Sequence, residues 1–272
     1  MSKQWSSIIL SKLKCHIDAA DKPVSYTLNS NEAPIQLNSL LGLDLRICFS
    51  KNIYCVKCAR KISKTFSDGY CYPCFKNSPE TAPCIIRPEV CQAHLGLGRD
   101  PEWEETHHNQ PHIVYFSFTS HEKVGVTRST QVPTRWIDQG ASFALIIAKI
   151  PYRHLAGRME IELKKYMSDR TQWQGMLRAK PTSCLLNEKY KELTPLLPPD
   201  LHSYLTPNES VLSLHYPLIK PLPEKIKSVN LSKLDTLSGI LIGIKGQYLL
   251  FDNGQVFNVR KHSGYDVSLQ IN

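Results

Sequence analysis

The sequence lacks long hydrophobic runs and has no recognisable cleavable leader. A membrane-spanning helix needs roughly 20 predominantly apolar residues, whereas the longest apolar run, 143–150, is far shorter and contains Lys149. The first 20 residues mix charged and apolar side chains without an apolar segment followed by a small-residue cleavage site. Internal repeats and low-complexity tracts are absent as well. These absences predict a soluble, cytoplasmic protein.

Disulfides are not expected either, although the chain contains nine cysteines among 272 residues. The number is odd, and several of the cysteines form Cys-x-x-Cys pairs. Such usage is typical of metal ligands in a reducing compartment. With 42% hydrophobic residues the chain can bury a core, and its length fits two modest domains or one core with a zinc insert.

Two Cys-x-x-Cys pairs with twelve residues between them predict a zinc site. Four thiolates at this spacing surround one tetrahedral Zn²⁺ and leave no open position, so the site would be structural. A hairpin is expected at 61–70 and a short helix at 73–77, an order that resembles a treble clef. The predicted ligands are Cys55, Cys58, Cys71 and Cys74.

A second group of Cys and His residues follows and has two interpretations. Cys91 and His94 form a Cys-x-x-His pair, Cys84 would be a third ligand, and His107 or His108 would complete a second zinc site. We take His108 as the fourth ligand. The alternative is a buried cysteine with surface histidines.

The pattern of apolar residues and turns predicts an α+β protein. After the cysteine- and histidine-rich segment, the pattern predicts an α/β core. It has strands at 112–118 and 123–127, a helix at 134–139, a strand at 144–150 and a helix at 155–167. The predicted regions are a β region at 1–54, a zinc-binding region at 55–112, the α/β core at 113–180, a proline-rich connection at 181–237 and a β region at 238–272. The two terminal β regions are expected to complete one small sheet or barrel.

Positive charge is concentrated in the predicted α/β core. The chain carries a formal net charge of +9, and residues 123–180 contain eleven Lys and Arg against four Asp and Glu, a net +7. A basic segment of this kind favours a polyanionic partner, most often nucleic acid. The alternative is a solvated basic surface without a polyanion.

The predicted α/β core resembles the GIY-YIG nuclease family. The resemblance rests on Ile113-Val-Tyr115, then Lys123-Val-Gly125, then Arg135 and Glu160, although Lys123 stands where the second motif of that family begins with Tyr. It implies that Tyr activates water, Arg135 holds the phosphate, and Glu160 carries Mg²⁺ or Mn²⁺. The catalytic set would be Tyr115, Lys123, Arg135 and Glu160, and the nucleic-acid contacts Arg128, Arg135, Arg153 and Arg158.

Nearly the whole chain is also similar to an uncharacterised bacterial family. The shared motifs lie at 69–75, 124–128, 133–141 and 243–249. This similarity carries no known activity, so the basic charge and the GIY-YIG resemblance leave two expected functions. One is a zinc-containing, nucleic-acid-binding phosphodiesterase, and the other is a non-catalytic module that binds nucleic acid or protein with zinc as a scaffold.

Overall fold

Helices and several sheets alternate along the chain, which confirms the α+β class. The computed structural model describes residues 3–19 and 21–272. The strands are β1 Lys3–Ile9, β2 Lys14–His16, β3 Ser25–Leu28, β4 Ile35–Gln36, β5 Asp44–Tyr54, β6 Lys61–Ile62, β7 His112–Phe118, β8 Glu122–Arg128, β9 Phe143–Ile150, β10 Leu212–Ser213, β11 Lys227–Ser228, β12 Thr236–Lys245, β13 Tyr248–Phe251, β14 Gln255–Asn258 and β15 Tyr265–Ile271. The helices are α1 Tyr72–Asn77, α2 Pro101–His107, α3 Thr134–Asp138, α4 Arg153–Lys164, α5 Trp173–Arg178 and α6 Leu186–Leu193.

Unit 1 consists of Met1–Lys76 together with His215–Asn272. Its main sheet has the order β1-β15-β5-β12-β13-β14-β11, with β6 paired to β5. Strands from the two terminal regions therefore share one sheet, because β5 lies between β15 and β12. A smaller sheet has the order β2-β3-β4.

A tight turn joins β13 to β14 in unit 1. Gly254 has φ +79°, and a Cβ there would meet the Lys225 carbonyl oxygen at 2.4 Å. Only glycine tolerates both the left-handed backbone and this close approach. The Asn-Gly sequence at 253–254 thus fixes the hairpin.

Unit 2 is the continuous segment Asn77–Leu214. Its antiparallel sheet has the order β10-β9-β7-β8, and Val114 and Phe116 of β7 belong to the same buried core as residues of α4 and α6. Because successive side chains of a strand point to opposite faces, Tyr115 and Ser117 lie on the other face. The register pairs Tyr115 with Gly125 and Ser117 with Lys123, so Tyr115 and Lys123 share that face.

Parts of the segment expected to be a connection, 181–237, are ordered elements of unit 2. The segment contains α6 and two 3₁₀ helices, Thr194–Leu196 and Pro199–Tyr204. Prolines occupy the first turns of both 3₁₀ helices, where a missing N–H leaves no lost hydrogen bond. Leucines of these elements enter the core: Leu186, Leu193, Leu197 and Leu201. Among the described residues no helix is long and apolar enough to cross a membrane.

Candidate metal centres and a charged cluster

The first cysteine cluster lies in unit 1 and is built by a backbone knuckle. The N–H of Ala59 donates to the Cys55 carbonyl at 2.9 Å, and the Cys55 N–H donates to Arg60 at 2.8 Å. The backbone N–H of Cys71 donates to the Cys55 Sγ at 3.2 Å. Cys74 lies in α1, so the second pair of cysteines is carried into the first turn of a helix.

The four sulfur atoms of this cluster are spaced for a tetrahedral ion. The Sγ atoms of Cys55, Cys58, Cys71 and Cys74 all lie within 4.8 Å of one another. Four ligands at ~2.3 Å from a tetrahedral zinc stand about 3.8 Å apart, and the Cys58 and Cys71 sulfurs are 3.8 Å apart. Burial opposes ionisation of Cys55, but the N–H groups of Cys71, Cys58 and Lys57 lower the pKa of its thiol to about 6. The cluster can therefore hold a metal ion.

The second cluster lies in unit 2 and contains two thiols, a carboxylate and an imidazole. The ligand atoms of Cys84, Cys91, Glu104 and His108 lie within 4.8 Å of one another, and all four residues are buried. His108 Nδ1 is 2.5 Å from Glu104 Oε2 and 3.9 Å from the Cys84 Sγ. A hydrogen bond with Cys84 lowers the pKa of the Cys91 thiol. Sulfur, nitrogen and carboxylate donors are all zinc ligands, so this cluster also fits a metal ion.

Glu104, rather than the predicted His94, supplies a donor to the second cluster. The His94 ring instead stacks on Tyr152, with centroids 4.9 Å apart, and on His154 at 4.8 Å. Glu104 and His108 are one helical turn apart at the end of α2, which brings both donors to one side. A single glutamate in a polar segment does not by itself predict a metal ligand. The spacing of four residues between Glu104 and His108, which places both on one helix face, was the sequence feature that could have identified it.

Helix α4 fastens the second cluster to the sheet of unit 2. The Arg153 guanidinium donates to the carbonyls of Cys84 and Ile85, at 2.8–2.9 Å. One turn later, a Cβ on Gly157 would come within 2.2 Å of the Glu89 backbone nitrogen. The loop that carries the two cysteines therefore lies directly against the first half of α4.

Tyr115 anchors a group of charged side chains on the opposite face of the sheet. Its hydroxyl donates to Gln139 Oε1 at 3.0 Å, and its ring meets Trp136 edge-on at 5.8 Å. A Cβ on Gly125 would touch the hydroxyl at 2.6 Å, so glycine makes the space for the ring. Burial raises the pKa of Tyr115, while Arg135 acts against this through its charge and a hydrogen bond.

Lys123 is almost fully buried in the same group. Its ammonium donates to Thr171 Oγ1 at 3.3 Å, and the Val124 N–H donates to the Ser168 carbonyl at 3.0 Å, which holds 168–171 beside β8. Burial lowers the pKa of Lys123 to about 8, and the nearby charge of Arg135 contributes. A lysine in this state can lose its proton near neutral pH.

Glu160 of α4 adds a carboxylate to this group. It is buried, and its Oε2 lies 3.6 Å from Lys164 Nζ, which also contacts Asp169 at 2.8 Å. Burial raises the pKa of Glu160, with Lys164 opposing. The charges of Glu160 and Arg135 each act on both Tyr115 and Lys123. We call Tyr115, Lys123, Arg135, Glu160, Lys164 and Asp169 the charged cluster.

The predicted nucleic-acid contacts do not all remain available. The Arg153 guanidinium is hydrogen-bonded to the loop of the second cluster, at the Cys84 carbonyl. Arg158 is ion-paired with Asp200 at 3.0 Å, whereas Arg128 is half-buried and burial lowers its pKa. Among the four predicted arginines, Arg135 acts on Tyr115 and Lys123, and Arg153 acts on Glu160.

Residues 42–267 match the model of a family described as "Protein of unknown function (DUF2797)". The chain belongs to the DUF2797 family. The DUF2797 match includes both cysteine-containing clusters and the charged cluster, so all three are features of the family region of this chain. No curated protein and no solved structure matches the chain.

Proposed function

We propose that the protein binds two structural zinc ions and that its charged cluster binds and hydrolyses a phosphodiester of nucleic acid. The observation that supports the proposal is that Tyr115 and Lys123 share one face of the sheet and that the charges of Arg135 and Glu160 act on both. These residues come from β7, β8, α3 and α4. Their elements follow the order expected of a GIY-YIG-like core.

The first zinc ion would serve as a scaffold. Knuckle, hairpin and helix follow one another around Cys55, Cys58, Cys71 and Cys74, which is the order of a treble clef. Four thiolates leave no position for water or substrate. The second ion, at the Cys84 cluster, would be structural for a related reason, because its four donors are all buried.

The charged cluster has the groups that phosphodiester hydrolysis requires. Arg135 can bind a non-bridging phosphate oxygen and stabilise its developing charge. Lys123, in its neutral form, can accept the proton of the attacking water. Tyr115 donates to Gln139 and, through its contact with Arg135, holds the guanidinium in place.

Glu160 and Asp169 suit a hard divalent cation such as Mg²⁺ or Mn²⁺. Both carboxylates contact the same Lys164 ammonium, so both can reach one cation, and Mg²⁺ usually binds one or two carboxylates plus substrate phosphate. When bound, such a cation would neutralise phosphate charge and polarise the phosphorus–oxygen bond. Lys164 would then remain paired with whichever carboxylate oxygen is free.

Nucleic acid is the proposed polyanion because residues 123–180 carry a net +7. Some of these charges are neutralised by acids outside the segment, including Lys149 by Glu209 and Arg158 by Asp200. The attraction must therefore come from the remaining side chains, Arg135 foremost. Binding should weaken steeply with salt because each neutralised phosphate releases counterions.

A cleavage assay on single- and double-stranded DNA and RNA with Mg²⁺ or Mn²⁺ tests this proposal. We expect Glu160→Gln to abolish cleavage and Arg135→Ala to weaken both cleavage and binding. The cleavage rate should rise with pH up to about 8, as Lys123 loses its proton. Arg158→Ala, which removes an exposed arginine paired with Asp200, is the matched control and should cleave normally.

Absence of cleavage under all metals and substrates would exclude the phosphodiesterase. If Arg135→Ala still weakens binding in that case, the chain is the non-catalytic nucleic-acid-binding module. The replacement of the expected Tyr by Lys123 is the observation that favours this second function. If neither cleavage nor binding is found at low salt, both functions are wrong.

A further inference from the structure

Three aromatic rings form a row on the surface of the first metal module in unit 1. The Phe66 ring lies 5.1 Å from Tyr72 and 6.0 Å from Phe75, with an interplanar angle of 25° in the second pair. Tyr72 is 55% exposed and Phe75 is 36% exposed. We call Phe66, Tyr72 and Phe75 the aromatic platform.

The metal module holds the platform in place. Tyr72 and Phe75 are three residues apart in α1, so they lie on one face of that helix, and Lys76 adjoins them. Phe66 is fixed by paired backbone hydrogen bonds with Tyr70, at 2.8 and 3.0 Å. Since α1 carries Cys74 and directly follows Cys71, the rings are preorganised by the four-cysteine centre.

The segment that carries the rings is rich in exposed positive charge. Residues 55–77 contain five basic side chains and one acidic one, and that acid, Asp68, is paired with Arg260 at 2.8 Å. The Lys64 ammonium lies over the Phe66 ring, 5.3 Å from its centroid. The five exposed basic residues are Lys57, Arg60, Lys61, Lys64 and Lys76.

We propose that the aromatic platform binds single-stranded nucleic acid, with bases stacked on Tyr72 and Phe75 and phosphates near the surrounding lysines. Exposed aromatic rings within a basic surface are the arrangement that single strands recognise. A duplex keeps its base faces covered, and an acidic peptide would use the charges without the rings. This surface shares a ligand class with the charged cluster but no residue, and it does not depend on catalysis.

The test uses the full chain carrying Arg135→Ala and Glu160→Gln, so that the charged cluster does not contribute. Fluorescence anisotropy measures binding of a labelled oligothymidylate, and metal analysis verifies that zinc is retained. In this background we expect Tyr72→Leu to weaken binding about tenfold, because one base loses its stacking partner. Tyr72→Phe, which keeps the ring, should bind like the parent.

Two further measurements separate stacking from charge. An abasic strand of equal length has the same phosphates without bases, and it should bind at least about thirtyfold more weakly than oligothymidylate because both stacked bases are lost. Lys64→Gln should reduce the slope of log affinity against log salt by about 0.7.

Equal affinity of the Tyr72→Leu and parent chains would overturn the proposal, as would equal affinity for the abasic strand. Displacement by polyglutamate as effective as that by unlabelled oligothymidylate would also overturn it, in favour of an unspecific acidic partner. Because every arm is measured with the charged cluster disabled, a failure of cleavage in the native chain leaves these outcomes unaffected.

Discussion

Lys123 stands out among single residues because its ammonium is buried at a site where most sheet residues are apolar. Burying a charge is unfavourable unless partners compensate. Its hydrogen-bond partner is the neutral Thr171 hydroxyl. Burial and the nearby charge of Arg135 lower the pKa of Lys123, and the charges of Asp169 and Glu160 oppose them only in part. A group held in so unfavourable a state is typical of functional sites.

Replacing Lys123 by Met should therefore stabilise the fold. The pKa is about 8 in the folded chain and 10.5 as the ordinary value, so between these pH values the unfolded chain holds more protons. Stability of the native chain should rise as pH increases from 8 to 10.5, and the full penalty is present below 8. At neutral pH, Lys123→Met should gain at most about 3 kcal/mol in the free energy of unfolding.

Urea denaturation at pH 7 and 10 measures this prediction. Lys149→Met is the matched control, because Lys149 lies in the neighbouring part of the same sheet but its side chain is 59% exposed. The control should change stability little and retain the pH dependence of the native chain. If the Lys123→Met variant is as stable as the native chain at both pH values, burial of the Lys123 ammonium does not lower the free energy of unfolding, and the prediction is wrong.

At the scale of elements, α4 connects two sites within unit 2. Its first half lies against the loop of the second metal cluster, through Arg153 and Gly157, and its second half carries Glu160 and Lys164. The position of α4 against this loop therefore depends on close packing at Gly157, where a Cβ would meet the backbone of Pro88 and Glu89 at 2.2–2.7 Å.

Gly157→Ala should destabilise unit 2 by about 2–3 kcal/mol, because the clash with backbone atoms displaces the loop or the helix. Gly175→Ala in α5 is the matched control. A Cβ there would come within 3.4 Å of a single atom, Ser120 Cβ at 3.0 Å, and alanine otherwise favours a helix by about 0.5–1 kcal/mol. Thermal unfolding followed by circular dichroism compares the two variants. If the two variants melt at the same temperature, the loop at 88–89 accommodates the alanine without loss of stability, and the prediction is wrong.

Local pattern was sufficient to predict the three strands and two of the three helices of the 113–180 core, whereas α5 was not predicted. The strand at 112–118 has the observed bounds. The predicted strand at 123–127 is one residue shorter than β8 at each end, and the predicted helix at 134–139 is one residue longer than α3. Helix α4 ends at Lys164 rather than at 167, because the chain turns there towards Ser168, which bonds β8. Contacts of that kind join distant residues and leave no periodic signal.

At the scale of the whole molecule, the metal centres differ in how far sequence could specify them. The first centre follows from spacing alone, since both halves are Cys-x-x-Cys pairs. The second draws Cys84, Cys91 and Glu104 from short 3₁₀ turns and a helix, so its donors depend on the fold. Because unit membership also depends on contacts between distant residues, the sequence did not show that the two cysteine-containing clusters belong to different units.

The purified chain should contain about two zinc ions. Cys71→Ser and Cys84→Ser should each reduce the content to about one, and Glu104→Gln should weaken retention at the second centre during dialysis against a chelator. His94→Ala is the control and should keep both ions, because His94 lies outside the cluster. Elemental analysis by mass spectrometry gives the stoichiometry. Retention of two ions by Cys84→Ser would contradict the second centre.

The position of β5 in its sheet has a consequence for how the protein acquires its structure during synthesis. β5 is made early, yet its neighbours β12 and β15 begin at Thr236 and Tyr265. The continuous segment Asn77–Leu214 contains all strands of its own sheet and can fold as soon as it has left the ribosome. Unit 1 must wait with most of β5 unpaired, since β6 covers only Ile53 and Tyr54 at its end, and unpaired strand edges can pair with wrong partners. Early binding of zinc at the four cysteines would order the end of β5 during that interval.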